Sequence, residues 1–306
     1  MMQDAIFGGV NAAVLTPMKP DLSPDLDRLA RRCAHLFAHG CNNIGLLGTT
    51  GEANSFGISE RLAILEGMVE RGVPTERLLP GTGTTAITDS VLLTRRAAEL
   101  GCRGVLMLPP FYYKNPSDDG LFAYFSEVIE RVGGNVRVYI YNFPQQSAVP
   151  FSLALIERML KAFPGVLKGA KDSSGDFANS SAMVKEFAAD GFEVYVGYDD
   201  RLLDILKIGG AGCITAAANM TSEVNAAVVA HWNEPKGEEA QVLLSALRKA
   251  LTTAPTIAAL RALVAREEVD PAWLTMRPPH RPLSAEASAR FLAAWDACGT
   301  GLSKAA

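Results

Sequence analysis

The sequence alternates short apolar runs with longer amphipathic segments, and this alternation constrains the fold more than any other feature. Eight of the apolar runs are rich in aliphatic and β-branched residues and are bounded by Gly, Pro, Asn or Asp, which is typical of buried parallel strands. These predicted strands lie at residues 10–16, 43–47, 78–83, 104–108, 136–141, 165–171, 193–197 and 212–215.

Amphipathic segments with helix start and stop signals follow the strands. The first opens at Ser23-Pro24 and closes at Gly40, with proline in its favoured early position. Eight strands alternating with eight helices in about 230 residues predict an α/β fold closed into a (β/α)8 TIM barrel. The alternative, an open doubly wound sheet, lacks a glycine-rich dinucleotide fingerprint at its first turn. The remaining predicted helices begin near Ser59 and Thr88 and cover residues 118–131, 152–162, 177–189, 201–208 and 222–232.

The predicted strands stop well before the chain does. A length of 306 residues suggests two domains, but closed α/β barrels often exceed about 250 residues as one domain. After Trp232 only helical patterns remain, on either side of a proline-rich stretch at residues 271–282. We therefore expect a catalytic barrel over residues 1–233 and a C-terminal helical extension, packed on the barrel, over residues 234–306.

Composition argues against several classes of partner. The net charge is −4, from 29 basic and 33 acidic residues. The chain therefore lacks the excess of positive charge that attracts nucleic acid. No apolar stretch approaches the roughly 20 residues that span a bilayer, and no membrane partner is expected. The amino terminus lacks the basic and apolar segments of a secretory signal. Five scattered cysteines form no CxxC pair. These features predict a reduced, cytoplasmic protein without a disulfide framework or structural zinc.

Lys171 is the strongest candidate for a catalytic residue, because it ends a predicted strand and the active sites of closed α/β barrels form where the strands end. A lysine there that faces the barrel interior is poorly solvated, which favours a neutral amine able to attack a carbonyl and form a Schiff base. The alternative is a structural lysine that pairs with Asp172 or reaches the solvated rim. Lys168 has the opposite parity on the same predicted strand and is expected to face the helices.

Two other strand ends carry polar groups suited to a site. Tyr141 either packs with its hydroxyl bonded to one partner or, beside a nucleophilic lysine, acts as a general acid/base. The GTTG segment at residues 48–51 is either a plain tight turn or a concave anion site formed by successive backbone N–H groups. His35 and His39 lie four residues apart on the first predicted helix, but no third ligand accompanies them, so no metal site is predicted.

Five strand ends read GTTGE, PPFYYKNP, YNFP, GAKDSSGD and GGAGCIT in chain order. With these motifs the chain resembles the dihydrodipicolinate synthase/N-acetylneuraminate lyase family over nearly its whole length. The resemblance implies a class I aldolase that binds pyruvate, or a 2-oxo acid that yields it, through a lysine Schiff base. It also implies a homo-oligomer, either a tetramer or a dimer. Because a protonated imine is itself an electron sink, this chemistry requires no metal or organic cofactor.

The resemblance also implies a role for individual residues. Lys171 would form the Schiff base and Tyr141 would be the acid/base. Thr49 would join a hydroxyl relay with Tyr141 and with Tyr113, which the family typically borrows from a neighbouring subunit. The substrate carboxylate would be held by the segment that begins at Gly48, largely through the backbone amides of Thr49 and Thr50. A backbone carbonyl near the imine would come from Ile214.

Substrate preference is predicted from departures from the family pattern. Gln146 stands where dihydrodipicolinate synthases usually place an arginine, which weakens the case for aspartate semialdehyde. Residues 197–200 resemble the acidic segment of sugar-acid members, with Asp199 as a substrate ligand. Ala216 stands where sialate lyases tend to carry serine. We therefore expect a 2-keto-3-deoxy sugar acid as substrate.

Three alternatives stay open at this point. One is 4-hydroxy-tetrahydrodipicolinate synthase, which condenses pyruvate with aspartate semialdehyde. Another is a keto-deoxy acid dehydratase that uses the same imine chemistry. The third is a non-catalytic 2-oxo acid binder that retains the barrel, although such a binder has no need of a neutral nucleophile.

Overall fold

The computed structural model describes residues 4–134 and 136–299, which form a parallel barrel surrounded by helices. Its strands, each at or beside a predicted apolar run, are β1 (Gly9–Ala13), β2 (Asn43–Gly45), β3 (Gly104–Met107), β4 (Arg137–Asn142), β5 (Leu167–Asp172), β6 (Glu193–Val196) and β7 (Gly212–Thr215). They pair in parallel in the order β2-β1-β7-β6-β5-β4-β3. The predicted fold class is confirmed.

The predicted strand at residues 78–83 closes the barrel between β2 and β3 without forming a continuous strand. On the β2 side, the Leu79 N–H donates to the Ile44 carbonyl at 2.9 Å. On the β3 side, the Leu106 N–H donates to the Pro80 carbonyl at 2.9 Å. Proline has no N–H of its own to continue the ladder, so only isolated bridges form here. The third of the eight predicted strands is therefore reduced to a bridging segment.

Most helices lie where their patterns predict them. The Asp25 side chain accepts a hydrogen bond from the Arg28 N–H at 3.0 Å and caps α1, so this helix begins after Ser23-Pro24 rather than at it. The single turn α5 is too short to show a helical period, so the sequence pattern does not predict it. The helices are α1 (Leu26–Ala38), α2 (Ile58–Glu70), α3 (Ile87–Glu99), α4 (Asp118–Val132), α5 (Pro144–Ser147), α6 (Leu153–Ala162), α7 (Phe177–Phe187), α8 (Leu202–Lys207), α9 (Ala218–Ala230), α10 (Pro235–Leu251), α11 (Thr256–Glu267) and α12 (Ala285–Asp296).

The barrel interior is filled by aromatic side chains that meet over a glycine. Tyr139 on β4 and Tyr195 on β6 are both fully buried, and both hydroxyls donate to Glu193 Oε2, at 2.9 and 2.6 Å. Gly169 lies between them on β5, where a Cβ atom would approach the Glu193 carbonyl oxygen to 2.2 Å. Because Glu193 begins β6, this layer fills the amino-terminal part of the barrel interior.

The C-terminal extension packs on the barrel through its own apolar cluster. Residues of α10, α11 and α12 meet Leu15, which follows β1, and Met220 on α9. Trp273 and Trp295 are almost completely buried in this cluster. No helix in the described part of the chain is both long and apolar enough to cross a membrane.

Gly83 provides a test of how tightly the bridging segment is packed. A Cβ atom there would lie 2.2 Å from the Leu108 backbone nitrogen and 2.5 Å from its carbonyl oxygen. Because backbone must shift to relieve such contacts, we expect Gly83→Ala to lower the free energy of unfolding by roughly 1–3 kcal/mol, measured by urea denaturation.

Gly120→Ala in α4 is the matched control. The added Cβ would meet only Ser117 Oγ, at 3.4 Å, and alanine is the better helix former, so stability should hold or rise slightly. Equal losses in the two variants would contradict the packing assigned to Gly83.

Candidate active site

A cavity of about 780 Å³ lies at the carboxyl end of the barrel. Strand ends form its inner wall and the C-terminal extension forms its outer wall. The predicted site residues that line it are Thr49, Thr50, Tyr141, Gln146 and Lys171. The strand ends also contribute Ser173, Gly197, Tyr198 and Ala216, and the extension contributes Arg248, Thr252, Thr256, Met276, His280, Arg281 and Ser284, among others.

Lys171 places its amine in the base of this cavity. The residue is 5% exposed, and its Nζ lies 4.1 Å from the centroid of the Tyr141 ring. Tyr141 is its register partner on β4. Within residues 4–134 and 136–299, no carboxylate pairs with this amine. The amine is thus held by apolar and aromatic contacts and remains free of a counter-ion.

Asp172 is turned away from the Lys171 amine, because successive side chains of a strand point to opposite faces. The Asp172 carboxylate is buried. It accepts four hydrogen bonds of 2.6–3.0 Å, from Asn142, Ser174, Asn179 and Ser180. These donors satisfy the carboxylate without a lysine, and the alternative in which Lys171 pairs with Asp172 is excluded.

Lys168 lies outside the cavity, as its parity predicts. Its amine donates to the Gly191 carbonyl at 2.8 Å and lies 3.7 Å from Glu193 Oε1. A quarter of its side chain is exposed. The two lysines of β5 therefore occupy contrasting environments, one solvated and paired, the other buried and unpaired.

The GTTGE loop combines free backbone donors with a buried anchor. The backbone N–H groups of Thr49 and Thr50 have no acceptor within the described residues. At the end of the loop, the Glu52 carboxylate is fully buried and accepts from Arg261 Nε at 3.1 Å and Nη2 at 2.5 Å. Arg261 belongs to α11, so the extension holds the loop that presents the two threonines. This ion pair could not be predicted from the sequence, because neither segment indicates which distant residue its charged group will contact.

Tyr141 and Gln146 reach the cavity from the end of β4. The Tyr141 ring stacks on Phe143, with centroids 5.7 Å apart and planes at 22°, and the residue is 4% exposed. The single turn α5 then brings Gln146 to the cavity wall. Gln146 is exposed, and its side chain adds a neutral amide to the lining.

Four predicted site residues do not line the cavity. Ile214 is fully buried among the aromatic side chains of the barrel interior. Gly48 begins the GTTGE loop, and a Cβ atom there would meet open space. Tyr113 is 66% exposed and packs edge-on against Tyr112. Asp199 is fully buried and accepts from Asn225 Nδ2 at 3.2 Å, because the chain enters a tight helical turn at this residue.

His35 on α1 and His39, the residue that caps this helix, contact each other. The His35 and His39 rings stack with centroids 3.9 Å apart, and His39 Nδ1 lies 2.7 Å from the His35 carbonyl oxygen. Across the described residues there is no group of three or more His, Cys, Asp or Glu side chains placed to hold a metal ion.

The outer wall contains the residues that sequence reasoning missed. Arg248, at the end of α10, stacks over Tyr198 at 4.6 Å, and His280 and Arg281 come from the proline-rich segment. A basic residue in the last turn of a helix is ordinarily read as a partner of the helix dipole. Only the folding of the extension over the barrel brings these groups to the cavity.

Comparison with known proteins identifies the family. Residues 6–297 match the model of the Dihydrodipicolinate synthetase family. An "Uncharacterized DapA-like lyase" of Chloroflexus aurantiacus is 33% identical over 291 residues, which cover 94% of this chain and 96% of that protein. The barrel and its family match define an α/β-barrel lyase. The chain belongs to the dihydrodipicolinate synthetase family, whose members are carbon–carbon lyases.

Solved structures agree with this assignment. Dihydrodipicolinate synthase from Agrobacterium tumefaciens is 33% identical, with a TM-score of 0.87 over 95% of this chain and 99% of that one. The prophage protein YagE of E. coli K12, solved in complex with pyruvate, is 25% identical, with a TM-score of 0.87 over 96% of this chain and 99% of that one.

Arg277 fastens the proline-rich segment of the outer wall to α2. Its guanidinium donates to Glu60 Oε2 at 2.9 Å and to the Ser55 carbonyl at 2.6 Å, and it lies 4.3 Å from the centroid of the Phe56 ring. The hydrogen bonds from Arg277 lower the pKa of Glu60 to about 2. This ion pair therefore makes the attachment of the outer wall sensitive to acid.

We expect this ion pair to shape the acid sensitivity of the protein. The pKa of Glu60 is lower in the folded than in the unfolded protein, so its contribution is present above about pH 4.3 and is lost as pH falls towards about 2. Glu60→Gln should lower Tm near neutral pH and reduce the drop in Tm between about pH 6 and about pH 3. Glu286→Gln, at a carboxylate 90% exposed on α12, is the control. A wild-type pH slope in Glu60→Gln would contradict the account.

Proposed function

We propose that the protein is a class I aldolase that cleaves a 2-keto-3-deoxy sugar acid into pyruvate and an aldehyde, or joins the two in reverse. The observation that carries the proposal is the buried, unpaired amine of Lys171 beside the Tyr141 ring, at the base of a 780 Å³ cavity. A buried amine without a counter-ion is suited to act as a nucleophile toward a carbonyl. The pyruvate complex of the relative YagE supports a 2-oxo acid as ligand.

The reaction follows from imine chemistry. The Lys171 amine adds to the C2 ketone of the substrate, and the ketone oxygen leaves as water to give a protonated imine. Once the imine has formed, Tyr141 gives its hydroxyl proton to solvent through the proposed relay, and the resulting phenolate accepts the proton of the C4 hydroxyl as the bond between C3 and C4 breaks. The electron pair of that bond moves into the imine, which leaves an enamine and a free aldehyde. The enamine then takes a proton at C3, and water hydrolyses the imine to release pyruvate and restore the amine.

The GTTGE loop is the proposed carboxylate site. The free N–H groups of Thr49 and Thr50 border the same cavity as the Lys171 amine. Backbone donors that converge on an anion stabilise it without a mobile side chain. The Glu52–Arg261 pair holds this loop in place from behind.

The preference for a sugar acid rests on the amide and hydroxyl groups of the cavity, which lie beside the cations Arg248 and Arg281. Gln146 supplies a neutral amide at the position where dihydrodipicolinate synthases usually place an arginine. Tyr198, Thr252, Thr256 and Ser284 bring hydroxyl groups to the outer part of the lining, and hydroxyls can bond a polyol chain. Asp199 gives no support, because its carboxylate is buried outside the lining.

A second candidate is 4-hydroxy-tetrahydrodipicolinate synthase. The 33% identity to the Agrobacterium tumefaciens dihydrodipicolinate synthase favours it. The two candidates share every proposed catalytic residue and differ in the aldehyde. Release of pyruvate from keto-deoxy acids supports the aldolase, whereas condensation of pyruvate with aspartate semialdehyde as the sole reaction supports the synthase.

Borohydride trapping tests the proposed nucleophile. Wild-type protein reduced in the presence of pyruvate should gain one adduct, which peptide mass mapping places on Lys171. Lys171→Ala should gain none and lose turnover by several orders of magnitude. Lys168→Ala, from the same strand, is the matched control and should retain both trapping and turnover. An adduct at Lys168, or none in the wild type, defeats the proposal.

We further propose that the protein is a homo-oligomer in which Tyr113 completes the relay of a neighbouring subunit. Tyr112 and Tyr113 are 72% and 66% exposed, and neither lines the cavity of its own chain. Large exposed aromatic side chains are common at protein interfaces.

The two tyrosines form a matched pair for a test. Tyr113→Phe removes one hydroxyl and should lower turnover roughly 10- to 100-fold, while pyruvate trapping persists, because the relay acts after the imine forms. Tyr112→Phe should behave as the wild type. Turnover that is unchanged in Tyr113→Phe, or a protein that is active as a monomer in sedimentation velocity, removes Tyr113 from the relay.

A further inference from the structure

We propose that Arg248 binds a second anionic group, at the end of the substrate away from the imine. The physiological substrate would then be a keto-deoxy acid whose far end carries a carboxylate or a phosphate. This inference rests on the proposed function and narrows its substrate class. It assigns a binding role to the extension, which otherwise serves only to cover the barrel.

Arg248 is a buried cation with uncommitted donors. The residue is 9% exposed and lines the cavity. Its guanidinium carries five N–H donors, yet it makes no hydrogen bond to any described residue. Tyr198 supports its plane at 4.6 Å. No nitrogen of Arg248 is among the enclosed side-chain atoms that lack a partner, so its donors are accessible from the cavity and can bond an anionic ligand there.

Asp199 lies close to Arg248 but does not satisfy it. Asp199 Oδ1 is 3.9 Å from Arg248 Nη1, beyond hydrogen-bond length, whereas committed Arg–carboxylate pairs are bidentate at about 2.7–2.9 Å. Asp199 Oδ1 itself has no hydrogen-bond partner. Burial raises the pKa of Asp199, and the charge of Arg248 opposes that rise. We therefore assign Asp199 as a positioning residue that acts through Arg248, in place of its predicted role as a substrate ligand.

The charge of the cavity also favours a second anion. Its lining includes Lys171, Arg248, His280 and Arg281 and, among the described residues, no Asp or Glu. Imine formation uses Lys171, and the GTTGE loop is assigned to the first carboxylate. The cations of the outer wall then have no anionic partner in the bound substrate unless the substrate carries another negative charge.

A neighbouring cavity of about 690 Å³ shares Tyr198, Arg248 and Thr252 with the active-site cavity. Its lining mixes the carboxylates Asp172, Asp176 and Asp200 with Arg201 and Lys249, whereas the lining of the active-site cavity contains no Asp or Glu among the described residues. The same guanidinium therefore favours an anion on the side of Lys171. A single substrate bound as an imine to Lys171 can then place an anionic group at its far end against Arg248.

The test compares three substrates that differ only at the far end. A 2-keto-3-deoxy hexarate ends in a carboxylate, a terminally phosphorylated 2-keto-3-deoxy hexonate ends in a phosphate, and the unmodified hexonate ends in a neutral alcohol. Wild-type kcat/KM should be about 10- to 100-fold higher for an anionic end than for the neutral one, which corresponds to one or two charge-assisted hydrogen bonds. Preference for the carboxylate or for the phosphate identifies the group.

Arg248→Gln should remove this preference, mainly through a higher KM for the anionic substrates. Lys249→Gln removes the same charge from the next residue of α10, which is exposed and does not line the cavity, and should keep the preference. If Arg248→Gln fails to fold because Asp199 is left buried and unpaired, the double variant Arg248→Gln/Asp199→Asn removes both charges and gives the same readout. Asp199→Asn alone should weaken the preference.

The outcomes separate the two proposals. Trapping of pyruvate on Lys171 without preference for an anionic end, or a preference that survives Arg248→Gln, overturns the assignment of Arg248 and leaves the aldolase intact. A wild-type protein that traps no pyruvate overturns the proposed function and this inference with it.

Discussion

The site depends on one constraint: the Lys171 amine is buried at the end of a barrel strand and has no carboxylate beside it in the part of the chain that the structure describes. Strand geometry imposes this separation, because the pleat sends Lys171 inward and Asp172 outward. Asp172 then finds four donors of its own, and the aromatic layer formed by Tyr139 and Tyr195 closes the barrel below. The amine is left in a cavity open only to ligands that reach the carboxyl face. Every function proposed for the protein follows from that placement.

The C-terminal extension completes the cavity that the ends of the barrel strands begin to form. Glu52 and Arg261 form a fully buried ion pair between the GTTGE loop and α11. Loss of either partner would leave the other charge buried and unpaired, which would lower the free energy of unfolding by about 3–5 kcal/mol. Arg277 ties the proline-rich segment to Glu60 in a second ion pair. The extension therefore holds the GTTGE loop and also supplies the outer wall of the cavity. Barrel and extension together form the proposed site.

The sequence predicted the parts of the site that depend on strand ends and left out those that depend on tertiary packing. Lys171, Tyr141 and Thr49 could be placed because hydrophobic period and barrel geometry put strand ends at one face. Asp199 also follows a strand, but a tight turn buries its side chain, and no sequence rule gives that direction. Pro80 interrupts one predicted strand locally. Arg248 lies in the last turn of α10, where the sequence indicates only a basic residue that interacts with the helix dipole. It becomes part of the cavity because α10 packs so that Arg248 lies beside Tyr198.

Hydrogen exchange measures most directly the proposed conversion of bound pyruvate to an enamine on Lys171. An enamine exchanges the methyl protons of pyruvate with solvent, so proton NMR in heavy water should show the methyl signal fading in the presence of enzyme, without any aldehyde. Exchange should be rapid in the wild type and in Lys168→Ala and should fall to the background rate in Lys171→Ala. Exchange at the background rate in the wild type, or wild-type exchange in Lys171→Ala, would show that Lys171 does not form the enamine.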